Sequence, residues 1–298
     1  MKASQQAFIP AKLAGDAQIL ANGLPALLMD ARKTAASLML GAHGRRRAGM
    51  GEAFWQHREL LDGENLRQVD WRRSARSDRL FVREMERESP AALQIWVDTR
   101  PSMLWRNQTS RPTKAERALV VALALAMAAK AGGERVSTLL GGQALGQEEA
   151  FLEALISSGA HFDSQAPIDD RKQSQILIVS DGLEPIEVWA ERLRRLSSEA
   201  VPVLFVLIRD PDEEAFPFEG RVSFMAPGTN TPVIIGQAGA ARDDYQRIYR
   251  LHGEALRAAL AGARGHLVTH ATDQPALPVT LQAAALLDGR GASSLGVG

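Results

Sequence analysis

No cysteine occurs among the 298 residues. The chain therefore has no disulfide framework, no thiol nucleophile and no cysteine-ligated zinc or iron–sulfur centre. Net charge is lacking as well. Lys and Arg number 35 and Asp and Glu number 35, so nothing in the overall balance attracts nucleic acid. The six histidines form no HExxH pair. His161, His252, His266 and His270 are scattered, and His266 and His270 in an extended strand would stand about 13 Å apart. Long apolar runs are absent. The longest, Ala118 to Ala129, spans about 18 Å as a helix, short of the roughly 30 Å hydrocarbon core of a bilayer. Arg117 and Lys130 bracket it. The opening residues carry one Lys and are interrupted by Asp16, which makes a poor signal peptide. These features lead us to expect a cytoplasmic protein with no transmembrane segment. What is present, 45% hydrophobic and 23% charged residues, is enough for a real core.

The front of the chain differs from the rest. Residues 16–40 read as a helix, with Leu20, Leu24, Leu27, Leu28, Leu38 and Met39 along one stripe and Gly23 and Pro25 near its start. From Gly41 to Arg83 there are ten Arg against six Asp or Glu. Four Gly come early in that stretch, and aromatic residues sit among the charges. Short strands and turns suit it better than a long helix. Residues 80–86, LFVREME, alternate as a strand.

From Ala91 the pattern becomes regular. Residues 92–97, 175–179 and 201–208 are nearly all apolar strands, separated by helical stretches. That is the mark of a parallel sheet covered on both faces. The helix at 113–130 opens with Thr113 and Glu116 at capping-box spacing and stops at Gly132-Gly133. Short strands are expected at 134–140, 221–225, 231–236 and 265–270, and helices at 147–156, 185–197, 243–264 and 280–287. This gives an N-terminal segment over 1–88 and an α/β domain over 89–287. The domain has a small insertion around 210–240, and a disordered tail follows over 288–298.

Asp98 and Asp181 each follow a core strand directly. In an open parallel sheet, ligands sit beyond the carboxyl ends of the strands. If the two strands are neighbours, both carboxylates reach one crevice, with Ser102 four residues after Asp98 and Ser180 just before Asp181. Carboxylates and hydroxyls suit a hard cation such as Mg²⁺. Strand-end acids also cap the helices that follow, which is the plainer reading.

The run Asp98-Thr99-Arg100-Pro101-Ser102-Met103 resembles the Asp-x-Ser-x-Ser metal-ion-dependent adhesion motif of von Willebrand factor A-like domains. Arg100 stands where that motif has its first serine. Upstream come Gly49-x-Gly51-x-x-Phe54, Arg58, Gly63-Glu64-Asn65-x-Arg67-x-Val69-Asp70-Trp71 and Ser74-Ala75-Arg76. Together with Leu80-x-Val82-Arg83 they resemble the signature of the DUF58 family. The segment Asp210-Pro211-Asp212-Glu213, the helix around Tyr245 and Thr272-Asp273 are also similar to that family. The resemblance spans roughly residues 40–285. It implies a von Willebrand factor A-like, Rossmann-like open sheet with helices on both faces, preceded by a helix and an irregular β-containing segment. It further implies a partner, a MoxR-type AAA+ ATPase encoded nearby with other proteins. Asp98, Ser102 and Asp181 map onto three roles of the metal motif. Arg has no acceptor atom, so an inward Arg100 pairs with an aspartate and takes the metal's electrostatic place. An outward Arg100 leaves a hydrated, weakly held Mg²⁺.

The basic front admits three accounts. Glu52, Glu64 and Asp70 paired with Arg58, Arg67 and Arg76 around Phe54 and Trp71 would make an internal network. Arg45, Arg46 and Arg47 would otherwise form a partner surface, to which Trp105 and Met103 add an apolar rim near the crevice. Nucleic-acid binding is the third account, opposed by interleaved acids and the lack of any recognition motif. The glycine-rich stretch lacks a Gly-Lys-Ser/Thr ending and is no phosphate loop, so ATP belongs to the partner. We expect a noncatalytic interaction module without a required cofactor. A metal-assisted hydrolase or phosphoesterase using Asp98 and Asp181 is the alternative, and no Ser/His/acid arrangement supports it.

Overall fold

Three apolar runs build the centre of the protein. The structure, a computed structural model, describes residues 20, 23–43, 54–59, 81–85, 92–162, 174–198, 201–225 and 232–287. Five parallel strands form the central sheet. They are β3 (Ala92–Val97), β4 (Arg135–Thr138), β5 (Ser174–Ser180), β6 (Val203–Arg209) and β9 (His266–Ala271). Their spatial order is β4-β3-β5-β6-β9. The chain starts inside the sheet at β3, steps to the β4 edge, then returns past β3 and proceeds outward. The order reverses between β3 and β5, the place where open α/β sheets present their crevice.

Alternation along the strands assigns the two faces. Leu93, Ile95 and Val97 of β3, Leu177 and Val179 of β5, and Leu204, Val206 and Ile208 of β6 enter one core cluster. Trp96, Ile176, Ile178, Val203, Phe205 and Leu207, between them in sequence, enter the other. Side chains at successive strand positions point to opposite faces, so each run is apolar nearly throughout, with Gln94 a buried polar exception on β3.

Helices cover both faces. The first cluster includes residues of α1 (Leu24–His43), α2 (Lys114–Ala131) and α7 (Ala276–Leu287). The second is covered by α4 (Ile186–Ser198) and α6 (Ala238–Gly262), through Trp189, Leu193, Leu256 and Leu260. α2 is capped as its spacing predicts: the Glu116 N–H donates to the Thr113 hydroxyl, and the Thr113 N–H donates to the Glu116 carboxylate. Its alanines 115, 118, 122, 124 and 126 are fully buried, and such small side chains let a helix lie close to a sheet. α3 (Glu148–Gly159) joins β4 to β5, and α5 (Pro211–Ala215) follows β6. The expected small strands are a hairpin, β7 (Val222–Met225) antiparallel to β8 (Pro232–Ile235). Helix α7 begins four residues before the expected position.

The chain falls into two compact units, Met1–Met39 with Pro90–Gly298, and Leu40–Ser89. In the first, Leu27, Leu28, Ala31 and Leu38 of α1 are buried with residues of the α/β body. In the second, β1 (Phe54–Glu59) pairs antiparallel with β2 (Phe81–Met85), Phe54 opposite Met85 and Arg58 opposite Val82. Arg45, Arg46, Arg47, Gly49, Gly51, Gly63, Arg67, Asp70, Trp71 and Arg76 lie outside the described residues, as do the side chains of Phe54 and Arg58 and the expected tail at 288–298.

Candidate functional site

Asp98 is the first residue beyond β3, and its N–H donates to Val179 O at 2.8 Å, continuing the pairing with β5. Its side chain is fully buried. Oδ1 accepts from Arg100 Nε at 2.8 Å and from the Arg100 backbone N–H at 3.0 Å. Oδ2 accepts from Ser180 Oγ at 2.7 Å and pairs with Arg100 Nη2. Arg100 therefore turns inward and grips Asp98 as a fork. Its free edge pairs with Glu184, which is held in turn by Arg192. The Arg192 guanidinium lies 4.8 Å from the centre of the Phe162 ring and 5.0 Å from that of Trp189.

Asp181 follows β5 and is also buried. Oδ1 accepts from the Leu183 N–H at 3.1 Å, an Asx turn that shapes the loop. Oδ2 accepts from Lys114 Nζ at 2.9 Å. Lys114 is the first residue of α2, is 0% exposed, and pairs with Glu213 as well. A third arm follows β6. Asp210, fully buried, caps α5 by accepting from the Asp212 N–H at 2.9 Å and from Thr272 Oγ1 at 3.3 Å. Arg111 Nη1 lies 3.2 Å from Asp212 and 3.7 Å from Asp210. Asn107 donates to Asp212 at 2.8 Å.

Three neighbouring strands thus end in a buried acid, and each acid has its own cation. Asp98 and Asp181 sit side by side on the strand ends but lean apart. Asp98 continues the Trp96 face, where Trp189 and α4 pack, and Asp181 continues the Val179 face, where α2 supplies Lys114. Each is held by its own cation, Arg100 for Asp98 and Lys114 for Asp181.

The electrostatics follow from burial and pairing. Burial pushes the Asp98 carboxyl above its ordinary range more than Arg100 draws it down, and the Asp181 charge adds to the rise. Burial works against the Lys114 ammonium, yet Asp181 and Glu213 together hold it above the usual lysine range. Burial raises Glu213 despite Lys114. Glu184 is also opposed by burial, but Arg192 and Arg100 keep it below the ordinary carboxylate range.

One expectation, that Met103 lines a partner surface, is corrected here. Ser102 sits half-buried on the 3-10 turn Pro101–Leu104, and among the described residues its hydroxyl makes no hydrogen bond to either aspartate. Ser180 provides the hydroxyl instead. Met103 is 0% exposed and belongs to the α2-side core. It faces inward because the turn buries its third residue, so it forms no part of a partner surface. Trp105 is half-buried. Lys114 and Glu184 carry no motif in the sequence, and Glu213 enters there only as the end of the segment Asp210-Pro211-Asp212-Glu213. A lysine at the first position of a helix, where the helix dipole disfavours a cation, was the available signal.

The residues do not fit a divalent metal. Such an ion needs several open oxygen ligands. Each oxygen of Asp98 and Asp181 already accepts from an N–H or O–H donor, and Ser102 does not join them. Beside Asp181 runs a cleft also lined by Leu183, Arg209, Tyr249 and His252. His252 Nε2 lies 2.7 Å from Gly182 O. Arg209 lies 5.2 Å from the Tyr249 ring and so close to Gly253 that a Cβ there would approach its Nη2 to 2.8 Å.

A five-stranded parallel sheet with helices on both faces and acids at its strand ends makes this an open, Rossmann-like α/β fold. The chain belongs to the family described as "Protein of unknown function DUF58", whose model matches residues 56–149 and 163–255. Uncharacterized protein Rv1480 of Mycobacterium tuberculosis (strain ATCC 25618 / H37Rv) and Uncharacterized protein Mb1516 of Mycobacterium bovis are each 24% identical to it. In both cases the match covers 89% of this chain and 89% of the relative. Among solved structures, an aerotolerance-related membrane protein from Bacteroides fragilis is similar at 14% identity and a TM-score of 0.41, over 67% of this chain and 99% of that one. BatB from Bacteroides thetaiotaomicron is similar at 12% identity and a TM-score of 0.38, over 67% of this chain and 100% of that one.

Proposed function

We propose that this chain is a noncatalytic protein-interaction module that works with a MoxR-type AAA+ ATPase in the assembly or activation of client proteins, in the cytoplasm and without a required cofactor. One observation carries the reading. The strand-end aspartates Asp98 and Asp181 are spent on internal pairing with Arg100 and Lys114, so neither of these two carboxylates is free as a base or open as a metal ligand. A buried carboxylate gripped in this way shapes a loop. The partner ATPase comes from the family resemblance. Exposed apolar residues support a docking role: Leu183 in the loop after β5, Val188 on α4, and Ile248 and Leu251 on α6. No helix among the described residues is long and apolar enough to cross a membrane.

The test is co-purification of the intact chain with the AAA+ ATPase encoded beside it, for wild type, Asp98→Ala, Arg100→Ser and Leu183→Asp. The reading expects wild type to retain the ATPase and Leu183→Asp to lose it without loss of folding. If no co-encoded protein binds, the reading fails. Turnover of a phosphomonoester that disappears in Asp181→Asn would favour the hydrolase instead.

A further inference from the structure

We propose that Lys114 is a tethered cation: its ammonium fills a position that Asp181 and Glu213 would otherwise offer to a divalent metal ion, so removing the amine opens a metal site. The inference concerns the arm after β5 alone. It stands or falls without reference to any ATPase partner.

Four features of that arm support it. The ammonium is completely enclosed and is shared between two carboxylates from different elements, Asp181 at 2.9 Å in the loop after β5 and Glu213 on α5. The second oxygen of Glu213 is buried and has no hydrogen-bond partner. Lys114 brings one positive charge against two negative ones, so the arm keeps an excess of one negative charge. A divalent ion would cancel both carboxylates. The excess is felt nearby: after burial, the Glu213 charge is the next cause that raises the phenols of Tyr245 (pushed up to about 12) and Tyr249.

The position also meets the requirements of a hard cation in kind. Its ligands are carboxylate oxygens, with the unpartnered Glu213 oxygen available as a third. Lys114→Ala removes three methylene groups and the amine, which leaves a polar void able to admit an ion with water. The covalent cation differs from a dissolved one in that it cannot leave. Divalent ions and chelators therefore have no hold on the native arm, and a partner carboxylate cannot reach a nitrogen that is 0% exposed.

The experiment follows thermal unfolding of the intact chain in EDTA and in millimolar MnCl₂. Wild type is expected to melt at the same temperature in both. Lys114→Ala is expected to melt lower in EDTA and to recover with Mn²⁺ by roughly 5 °C, as ligand linkage requires for a site near saturation. Lys114→Met, which refills the volume without charge, is expected to melt lower and to ignore Mn²⁺. Adding Glu213→Gln to Lys114→Ala is expected to abolish the Mn²⁺ response. If Lys114→Ala does not fold in EDTA, refolding in MnCl₂ reads the same property: recovery of the native near-ultraviolet circular dichroism supports the proposal, and its failure overturns it. A Mn²⁺ response in wild type that is lost in Asp181→Asn, or a Lys114→Ala variant indifferent to Mn²⁺, also overturns it.

Discussion

The Ser180 hydroxyl donates to Asp98 Oδ2 at 2.7 Å and accepts from the Gly182 N–H at 3.0 Å, so one side chain ties the end of β5 to the end of β3. Ser180→Ala would remove a donor from a buried carboxylate and a partner from a buried amide. The expected cost is about 1–3 kcal/mol, measurable as a lower urea midpoint with an unchanged slope.

Arg100 and Asp98 should behave as a coupled pair. Arg100→Ser restores a hydroxyl at the motif position but strips the guanidinium from buried Asp98, which keeps the Ser180 hydroxyl and the backbone N–H of residue 100 as donors. Loss of one partner of a buried pair costs about 3–5 kcal/mol. Combining it with Asp98→Asn should recover part of that loss, so the two substitutions fall short of additive in a double-mutant cycle. Additive losses would show that the fork contributes nothing.

His270 supplies a pH dependence. Burial, then the Arg117 charge, lowers it from 6.5 to about 4. Its folded pKa lies below the unfolded one, so its contribution is complete above pH 6.5 and is lost as the pH falls through about 4. The whole effect is on the order of 3 kcal/mol at most. Wild type should lose stability faster than His270→Phe between those pH values, read from denaturation midpoints at each pH.

Gly159 closes α3 against the strand that carries Asp98. A Cβ there would lie 2.1 Å from Val97 O and 2.6 Å from Thr99 Oγ1. Gly159→Ala must therefore push α3 from β3, at an expected cost of about 1–3 kcal/mol. A melting temperature equal to wild type would contradict this.

Local pattern made much of the body readable. The apolar runs at 92–97, 175–179 and 201–208 could only be strands covered on both sides, and Thr113 with Glu116 announced the start of α2. The position of acids at strand ends was equally plain, because each follows its run directly. The cations were harder to read. Lys114 meets Asp181 from 67 residues away, and Glu213 reaches it from a five-residue helix, so neither partnership leaves a spacing in the chain. Met103 was misjudged because a 3-10 turn carries no apolar period long enough to tell which side is inward. The hydroxyl that bonds Asp98 comes from Ser180 on the neighbouring strand, a partnership that motif position along the chain does not announce.

The enclosure of Lys114 bears on how the fold meets dissolved salt. Mobile ions screen charges that water can reach, and this ammonium is out of their reach. The loops crowning the sheet should then hold one shape from dilute buffer to strong brine, even as pairs on the outer helices, such as Arg194 with Glu191, loosen.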